Sequence, residues 1–296
     1  MIIDAHQHVW DLARARYSWL DEALAPINRT TDINEVLPQM RRIGVEATVL
    51  VQAADNSDDT ANMLRVAHEH AEVVGVVAWV PLDKPDTSAA MLDELRQDSH
   101  VVGVRALLHA KPDPEWVLRD GVDASLGFLE SAGLAFDYVT NDSSALALVP
   151  QLSQRHPDLK VVIDHLGKPP VSAGEPERLR WRNLLAAAVE NPRVTAKLSG
   201  LYGTTGSAAS WTIDSVRPFV ADAFDLLGAD RLMFGSDWPI SELEGGYARV
   251  WDALSELANG YGPEARAAVF GGTAETAYGL DPALLEAAAA VGKEDN

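Results

Sequence analysis

Short apolar runs recur eight times along the chain, and each is rich in Val, Ile, Leu or Phe. Runs of this length and composition are typical of buried β-strands. In chain order, the first to eighth predicted strands are IIDAH from Ile2, ATVLVQ from Ala47, VVGVVAWV from Val73, VVGVRALL from Val101, LAFDYV from Leu134, KVVIDHL from Lys160, RVTAKLS from Arg193 and RLMFGSD from Arg231.

Amphipathic helical patterns lie between these runs. The clearest spans 216–227, where apolar residues repeat at intervals of three and four, and Gly228 follows it as a helix stop. A shorter pattern ends ahead of Gly44, and a third follows a polar cap at Ser57 and Asp58. Because strand and helix alternate, the strands should be parallel and joined by helical crossovers. Eight such units predict an α/β protein with a closed TIM (β/α)₈ barrel.

The structural alternative is an open, doubly wound sheet. Such sheets usually carry a glycine-rich, phosphate-binding turn after the first strand. Here the first strand ends in HQHVW, which contains no glycine. No linker divides the chain, so we expect a single domain over residues 1–296, with a short C-terminal helical tail from about residue 281.

Four of the polar loops are long, and each of them follows a predicted strand. They span residues 9–32, 109–123, 200–212 and 238–246. All four should therefore open at the C-terminal face of the barrel, which is where barrel enzymes carry out their chemistry.

The composition narrows the possible functions. The chain has no cysteine, which excludes disulfides, thiolate zinc sites and a cysteine nucleophile. Its net charge of −20 argues against nucleic acids and anionic membranes as partners, because both repel a polyanion. A small molecule is the partner that remains, and the sequence does not indicate an oligomeric state.

The first residues, MIIDAHQHVW, lack the basic and apolar segments of a signal peptide. The longest apolar stretch, around 73–82, is too short to cross a bilayer. We therefore expect a cytoplasmic protein.

His6 and His8 are the first candidates for chemistry. Residues two apart in a strand face the same way, so both imidazoles could point into the barrel mouth and share one cation. The alternative is two ordinary polar residues at the end of a strand.

His165 and Asp237 end the sixth and eighth strands, in VIDHLGKP and LMFGSDWP. By strand alternation, His165 shares a face with Ile163, and Asp237 shares one with Gly235, which would let another group approach the backbone closely. The alternatives are a structural histidine bonded to backbone and a carboxylate that caps a helix or anchors a loop.

Closure of the barrel would bring these four side chains together, because the first and eighth strands become neighbours. Three imidazoles and one carboxylate at one rim are a ligand set for a divalent ion such as Zn²⁺ or Mn²⁺.

Several motifs resemble the amidohydrolase superfamily, most closely its lactonase branch, amidohydrolase family 2. They are DAHQHVW, VIDHLGKP, AKLSGL, FGSDWP and GGTAETAYGL, and the resemblance runs from Ile2 to about Leu280. The branch includes lactonases of L-rhamnono- and L-fucono-lactone and of 2-pyrone-4,6-dicarboxylate. The resemblance implies a TIM barrel in which His6 and His8 follow the first strand, His165 ends the sixth and Asp237 ends the eighth.

Two departures from the superfamily pattern limit the metal content. The fourth strand carries Arg105 where two-metal members place a bridging lysine or glutamate, and the fifth carries Asp137 and Tyr138 where many members place a histidine. The resemblance therefore implies one divalent metal ion or none, since some members of the branch hydrolyse lactones without metal.

Two basic residues at strand ends have two open interpretations. The guanidinium of Arg105 could donate two hydrogen bonds to a substrate carboxylate or carbonyl, or it could pair with Asp137 or Asp164. Lys197, at the end of the seventh strand, has the same two alternatives.

Other candidates for substrate binding lie at the rim. Gln52 could bond a sugar hydroxyl and Trp79 could stack on the C–H face of a sugar ring, although both could simply pack at the rim. His109 and Tyr202 are loop residues that could also contribute.

The resemblance to the lactonase branch implies a hydrolase that opens a lactone ring, with a sugar aldonolactone such as L-rhamnono- or L-fucono-lactone as substrate, and a rim with neutral hydrogen-bonding and aromatic residues agrees with it. Asp237 would act as general base, assisted by His165. One alternative is a metal-dependent decarboxylase of an aromatic or unsaturated acid, which the missing fifth-strand histidine disfavours. Another is a non-catalytic binding barrel, which would not need an ionised carboxylate beside three imidazoles.

Overall fold

The structure is a computed structural model that describes residues 1–201 and 211–294. Its strands are β1 Ile3–Gln7, β2 Ala47–Val51, β3 Val73–Ala78, β4 Val101–Ala106, β5 Ala135–Tyr138, β6 Lys160–Ile163, β7 Val194–Leu198 and β8 Leu232–Phe234. They form one sheet in the order β1 to β8, and every neighbouring pair within it is parallel.

Hydrogen bonds just beyond β1 and β8 bring the two edges of the sheet together. The N–H of His8 donates to the carbonyl of Trp238 at 2.8 Å, and the N–H of Asp237 donates to the carbonyl of His6 at 2.9 Å. Gln7 and Trp238 form a parallel bridge. The α/β barrel predicted from the alternation of strand and helix is confirmed.

Eleven α-helices are described within these residues. They are α1 Leu37–Ile43, α2 Ser57–Glu69, α3 Pro85–Leu95, α4 Asp120–Ala132, α5 Val149–Arg155, α6 Glu175–Ala188, α7 Ile213–Leu227, α8 Tyr247–Asn259, α9 Pro263–Ala267, α10 Thr273–Tyr278 and α11 Pro282–Glu294. None of them, in the part of the chain described, has both the length and the apolar character that a membrane crossing requires.

Local sequence explains where several helices begin and end. The apolar stripe predicted on 216–227 is buried in α7, and Gly44 ends α1 with a φ of 82°, which glycine adopts without a steric penalty. The cap of α2 differs from the prediction at Ser57 and Asp58. The side chain of Asn56 accepts the hydrogen bond from the N–H of Asp59, so the helix starts one residue earlier.

Small apolar side chains fill the barrel interior. Ile3, Ala47 and Val49 belong to this cluster, which continues into Leu280 and Ala288 near and within the last helices. The helix predicted for the C-terminal tail therefore packs at the amino ends of the strands. The carboxyl ends remain available for the long loops.

Candidate active site

A cavity of about 280 Å³ opens at the carboxyl ends of the strands. Its wall includes His8, Arg105, His165 and Asp237. The cavity therefore lies at the end of the barrel where the strand-end residues were predicted to meet.

The structure brings the four predicted residues of the centre together. The Nε2 atoms of His6 and His8 lie 3.2 Å apart, and Asp237 Oδ1 lies 3.6 Å from the first and 3.4 Å from the second. His165 Nδ1 lies 3.9 Å from Asp237 Oδ2. All four residues are buried, and His8, His165 and Asp237 reach the cavity.

Turns that follow β6 and β8, rather than strand alternation, determine the directions of the His165 and Asp237 side chains. β6 ends at Ile163 and β8 at Phe234, and both functional residues lie beyond these ends with left-handed backbone, φ 54° and 58°. Non-glycine residues adopt this conformation rarely, and it is concentrated at functional sites. The shared-face argument from the sequence is therefore wrong for these two residues, although both reach the cavity.

Gly235 and Gly200 allow the close packing of this centre. A Cβ at position 235 would lie 2.6 Å from the Cβ of His6, which is the close approach that the sequence predicted for this glycine. A Cβ at position 200 would lie 2.5 Å from His165 Nδ1 and 2.8 Å from Asp237 Oδ2. Neither position has room for a side chain.

The orientation of His8 is fixed by the neighbouring strand. Its Nδ1 lies 2.6 Å from the carbonyl oxygen of Val51. A carbonyl only accepts hydrogen bonds, so Nδ1 carries a ring proton, and Nε2 is turned toward Asp237 Oδ1 and His6 Nε2. This is the arrangement that orients metal-binding histidines in proteins.

His6 faces two partners of opposite charge through one nitrogen. Its Nδ1 lies 2.9 Å from Lys197 Nζ and 3.2 Å from Asp164 Oδ1. The ammonium can only donate, and the carboxylate can only accept. The choice between them decides whether the ring proton of His6 sits on Nε2 or on Nδ1.

A network of buried charges lies beneath the cavity. Lys197 pairs with Asp137 Oδ2 at 2.6 Å and with Asp164 Oδ1 at 3.0 Å, while Arg105 pairs with Asp164 Oδ2 at 2.9 Å. The hydroxyl of Tyr278 donates to Asp137 at 2.8 Å. These pairs match the ion-pair alternative for Arg105 and Lys197. The part played by Tyr278 had no signal in the sequence, because it reaches Asp137 from α10 across the barrel interior.

Burial and charge set the protonation states of the centre. Burial lowers the pKa of His165 to about 3, and burial together with the charge of Lys197 holds the pKa of His6 well below its usual value. Burial alone would favour the protonated form of Asp237, but the rings of His165, His8 and His6 outweigh it and lower its pKa. The centre therefore combines the ionised carboxylate of Asp237 with neutral imidazoles at His165 and His6.

The same atoms fit a single divalent ion. Zn–N bonds of about 2.0–2.1 Å in a tetrahedral site place ligand atoms roughly 3.3 Å apart. The distances between His6, His8 and Asp237 are 3.2–3.6 Å, and ligand atoms of His6, His165 and Asp237 lie within 4.8 Å of one another. The fit comes from this donor set, in which two imidazole nitrogens approach one carboxylate oxygen.

A family model for amidohydrolases matches residues 3–280, which is most of the chain. The chain belongs to the amidohydrolase family. The resemblance drawn from its sequence motifs is thereby confirmed.

Relatives of this amidohydrolase include two L-fucono-1,5-lactonases. The one from Burkholderia ambifaria is 35% identical and the match covers 94% of this chain and 96% of the relative. The one from Burkholderia multivorans is 29% identical, with 94% and 96% covered. A zinc-bound amidohydrolase structure from Burkholderia multivorans has a TM-score of 0.88 and 29% identity, covering 95% of this chain and 100% of that one.

The remaining predicted residues of the amidohydrolase lie in different places. Arg105 and His109 line the cavity. Among the described residues, the cavity wall does not include Gln52, Trp79 or Lys197. Tyr202 lies outside the described residues.

Physical reasons keep two of these side chains from the cavity. The Gln52 side chain is fully buried and its amide nitrogen donates to the backbone carbonyl of Arg105 at 3.0 Å. The backbone carbonyl of Gln52 accepts a hydrogen bond from the Arg105 guanidinium, so Gln52 positions Arg105. Lys197 is fully buried and contacts His6 Nδ1, so it could influence a molecule in the cavity through His6 but would not contact that molecule itself. Gln52 and Lys197 therefore act through a neighbouring residue in this geometry.

The wall also contains polar residues that the sequence did not single out. Thr140, Asn141 and Lys168 line the cavity, and Lys168 Nζ donates to the carbonyl of Gly200 at 3.1 Å. They follow β5 and β6 within a few residues. The sequence analysis considered polar residues at the ends of the predicted strands. Including the few residues that follow each strand end would have found these three.

We expect Gly200→Ala to lower kcat/KM by about a hundredfold, because its Cβ would push His165 and Asp237 apart, and displacements of about 1 Å have effects of that size. Gly133→Ala is the matched control. Gly133 also has a positive φ, 69°, but a Cβ at this position would have no atom within 4 Å. Both variants carry similar backbone strain. Equal activity in the two would show that the packing at Gly200 is unimportant.

Proposed function

We propose that this protein hydrolyses the ring ester of a sugar aldonolactone, such as L-fucono- or L-rhamnono-lactone. The observation that carries the proposal is the ionised, buried carboxylate of Asp237 at the floor of a small cavity, beside three imidazoles. The L-fucono-1,5-lactonase from Burkholderia ambifaria, 35% identical over 94% of this chain, supports the substrate class.

Asp237 is the proposed general base. Its carboxylate would accept a proton from the attacking water, and the new C–O bond would convert the lactone carbonyl into a tetrahedral oxyanion. Collapse of that intermediate breaks the bond to the ring oxygen, and the protonated Asp237 would return its proton to this leaving oxygen. One residue thus serves both halves of the reaction.

Cationic and neutral donors in the wall would stabilise the oxyanion. Arg105 is held by Asp164 and by the carbonyl of Gln52, so its guanidinium is fixed before substrate arrives. Preorganised donors of this kind stabilise developing charge in a site shielded from water. His165 and Lys168 are further donors at this wall.

A single divalent ion, Zn²⁺ or Mn²⁺, would be held by His6, His8, His165 and Asp237. When bound, such an ion supplies a Lewis acid for the carbonyl oxygen. Arg105 and Lys168 would stabilise the charge of the oxyanion in the same way with the ion bound or without it.

The outer part of the cavity suits a polyhydroxylated ring. His109, Thr140 and Asn141 offer hydrogen bonds, and the aromatic side chain of Trp19 offers an apolar face. The volume of about 280 Å³ lies near the lower limit of small-molecule pockets, roughly 300 Å³. A monosaccharide lactone is therefore favoured over a larger ester.

A lactone panel tests the proposal. The purified protein is incubated with five- and six-membered aldonolactones, and acid release is followed with a pH indicator, with and without a chelator. We expect catalysed acid release from at least one sugar lactone. Catalysed CO₂ release from aromatic acids, with no effect on any lactone, would instead identify a decarboxylase.

The pH dependence tests the protonation of Asp237. Its pKa is lowered, so the carboxylate stays ionised at every pH above that value. In chelator-treated protein we expect kcat/KM for lactone hydrolysis to be level between about pH 5 and pH 7. A fall toward acid with a midpoint near pH 6 in that preparation would contradict an ionised Asp237 as the base.

A further inference from the structure

A second group of side chains of the types that ligate metals lies beneath the cavity. His6, Asp137 and Asp164 each place one ligand atom within 4.8 Å of the others, and all three side chains are fully buried. Two carboxylates and one imidazole are ligands that suit Mn²⁺ or Zn²⁺. The group shares only His6 with the centre at the cavity floor.

The ammonium of Lys197 lies within reach of all three side chains. Its Nζ is 2.6 Å from Asp137 Oδ2, 3.0 Å from Asp164 Oδ1 and 2.9 Å from His6 Nδ1. Lys197 is itself fully buried. A buried ammonium is stable only when it is paired and hydrogen-bonded, so these three partners are what allow Lys197 to be charged here.

The surrounding charges require a cation at this position. Asp137 and Asp164 contribute two negative charges, which Lys197 and Arg105 balance. Without Lys197, the buried group would be left with an excess of one negative charge. Tyr278 donates to both oxygens of Asp137, at 3.0 and 2.8 Å, which holds that carboxylate in place.

We propose that His6, Asp137 and Asp164 form an internal cation site that the ammonium of Lys197 fills, and that a divalent ion enters this site when the ammonium is removed. With the ammonium in place, the described residues of the barrel interior leave the side of His8 and Asp237 for an exchangeable ion. The inference concerns cation binding alone and does not depend on lactone hydrolysis.

Metal content measures this site directly. The His8→Ala background removes a ligand of the cavity-floor centre but none of the internal group. Three proteins are purified from Mn²⁺-supplemented medium and dialysed: H8A, H8A/K197A and H8A/D137N/K197A. Elemental analysis should find about one more Mn²⁺ per chain in H8A/K197A than in H8A, and no gain in the triple variant.

Two results would overturn the proposal. One is a folded H8A/K197A protein with no more metal than H8A. The other is a triple variant that keeps the extra metal without the Asp137 carboxylate. Since only metal content is read, loss of activity in these variants does not enter the comparison.

A second comparison applies if the alanine variants do not fold. Lys197→Met leaves one buried negative charge unbalanced, because Arg105 still pairs with Asp164, whereas D137N/K197M removes opposite charges as a pair. We expect a higher urea midpoint for D137N/K197M than for K197M. A midpoint for the paired variant equal to or below that of K197M would show that Lys197 fills space rather than balancing charge.

Discussion

Asp237→Asn is expected to lower kcat for lactone hydrolysis by about two to four orders of magnitude, the usual contribution of a positioned general base. The amide keeps the shape of the side chain but has no basic oxygen to accept the proton of the attacking water. Among the described residues, the cavity wall contains no second carboxylate that could replace Asp237.

The measurement is kcat on the best lactone of the panel, with circular dichroism to establish that the variant is folded. Asp252→Asn is the matched control, since Asp252 is exposed on α8 and outside the cavity wall. It should keep the activity of the unchanged protein. Turnover by folded Asp237→Asn within a few fold of that activity would remove Asp237 from the role of base.

Asp164→Asn is expected to lower the free energy of unfolding by about 3–5 kcal/mol, the range for breaking a buried ion pair. Asp164 is fully buried and pairs with both Arg105 and Lys197. After the substitution, Arg105 would lose its carboxylate partner, and Lys197 would keep only Asp137.

The pKa of Asp164 gives this prediction a pH signature. Burial raises the pKa of Asp164, but the charges of Lys197 and Arg105, together with a hydrogen bond from His6, outweigh it and hold that pKa well below its ordinary value. A carboxyl group with a lowered pKa stabilises the fold above its unfolded pKa, and that contribution is lost as the pH falls toward the folded value. The difference in the free energy of unfolding between the unchanged protein and Asp164→Asn should therefore be largest near neutral pH and become smaller in acid.

Urea denaturation at several pH values measures both effects. Asp222→Asn is the matched control, because Asp222 also pairs with two arginines, Arg178 and Arg182, but near the surface. Ion pairs that reach solvent contribute less than fully buried ones, and Asp222, Arg178 and Arg182 all reach solvent, so this variant should lose less stability than Asp164→Asn. Equal losses of stability in the two variants would contradict a special role for the buried pair.

The barrel fold and the position of the candidate site were predicted from the alternation of strands with helices and from the residues at the strand ends. Eight apolar runs with helical patterns between them predicted a parallel barrel, because only parallel strands need helical crossovers. The order of the strands then brings His6, His8, His165 and Asp237 to one end. That prediction required no knowledge of side-chain angles, since all carboxyl ends of parallel strands meet at one face.

Backbone conformation beyond the strand ends could not be predicted in the same way. His165 and Asp237 adopt left-handed backbone after β6 and β8 have ended, and the period of two no longer applies there. The packing of Gly200 against both side chains depends on two loops that are distant in sequence. Such contacts are long-range and leave no local pattern.

The sequence by itself determined the barrel, the face that carries the chemistry and the residue types of the centre, because these follow from periodicity and chain order. Only the tertiary structure decided between the two interpretations of Lys197 and Arg105. Their partners Asp137 and Asp164 lie on or beside other strands, and the pairing depends on distances of 2.6–3.0 Å across the barrel interior. Charge pairing is a property of space rather than of sequence separation, and a buried ammonium is stable only where the fold places carboxylates around it.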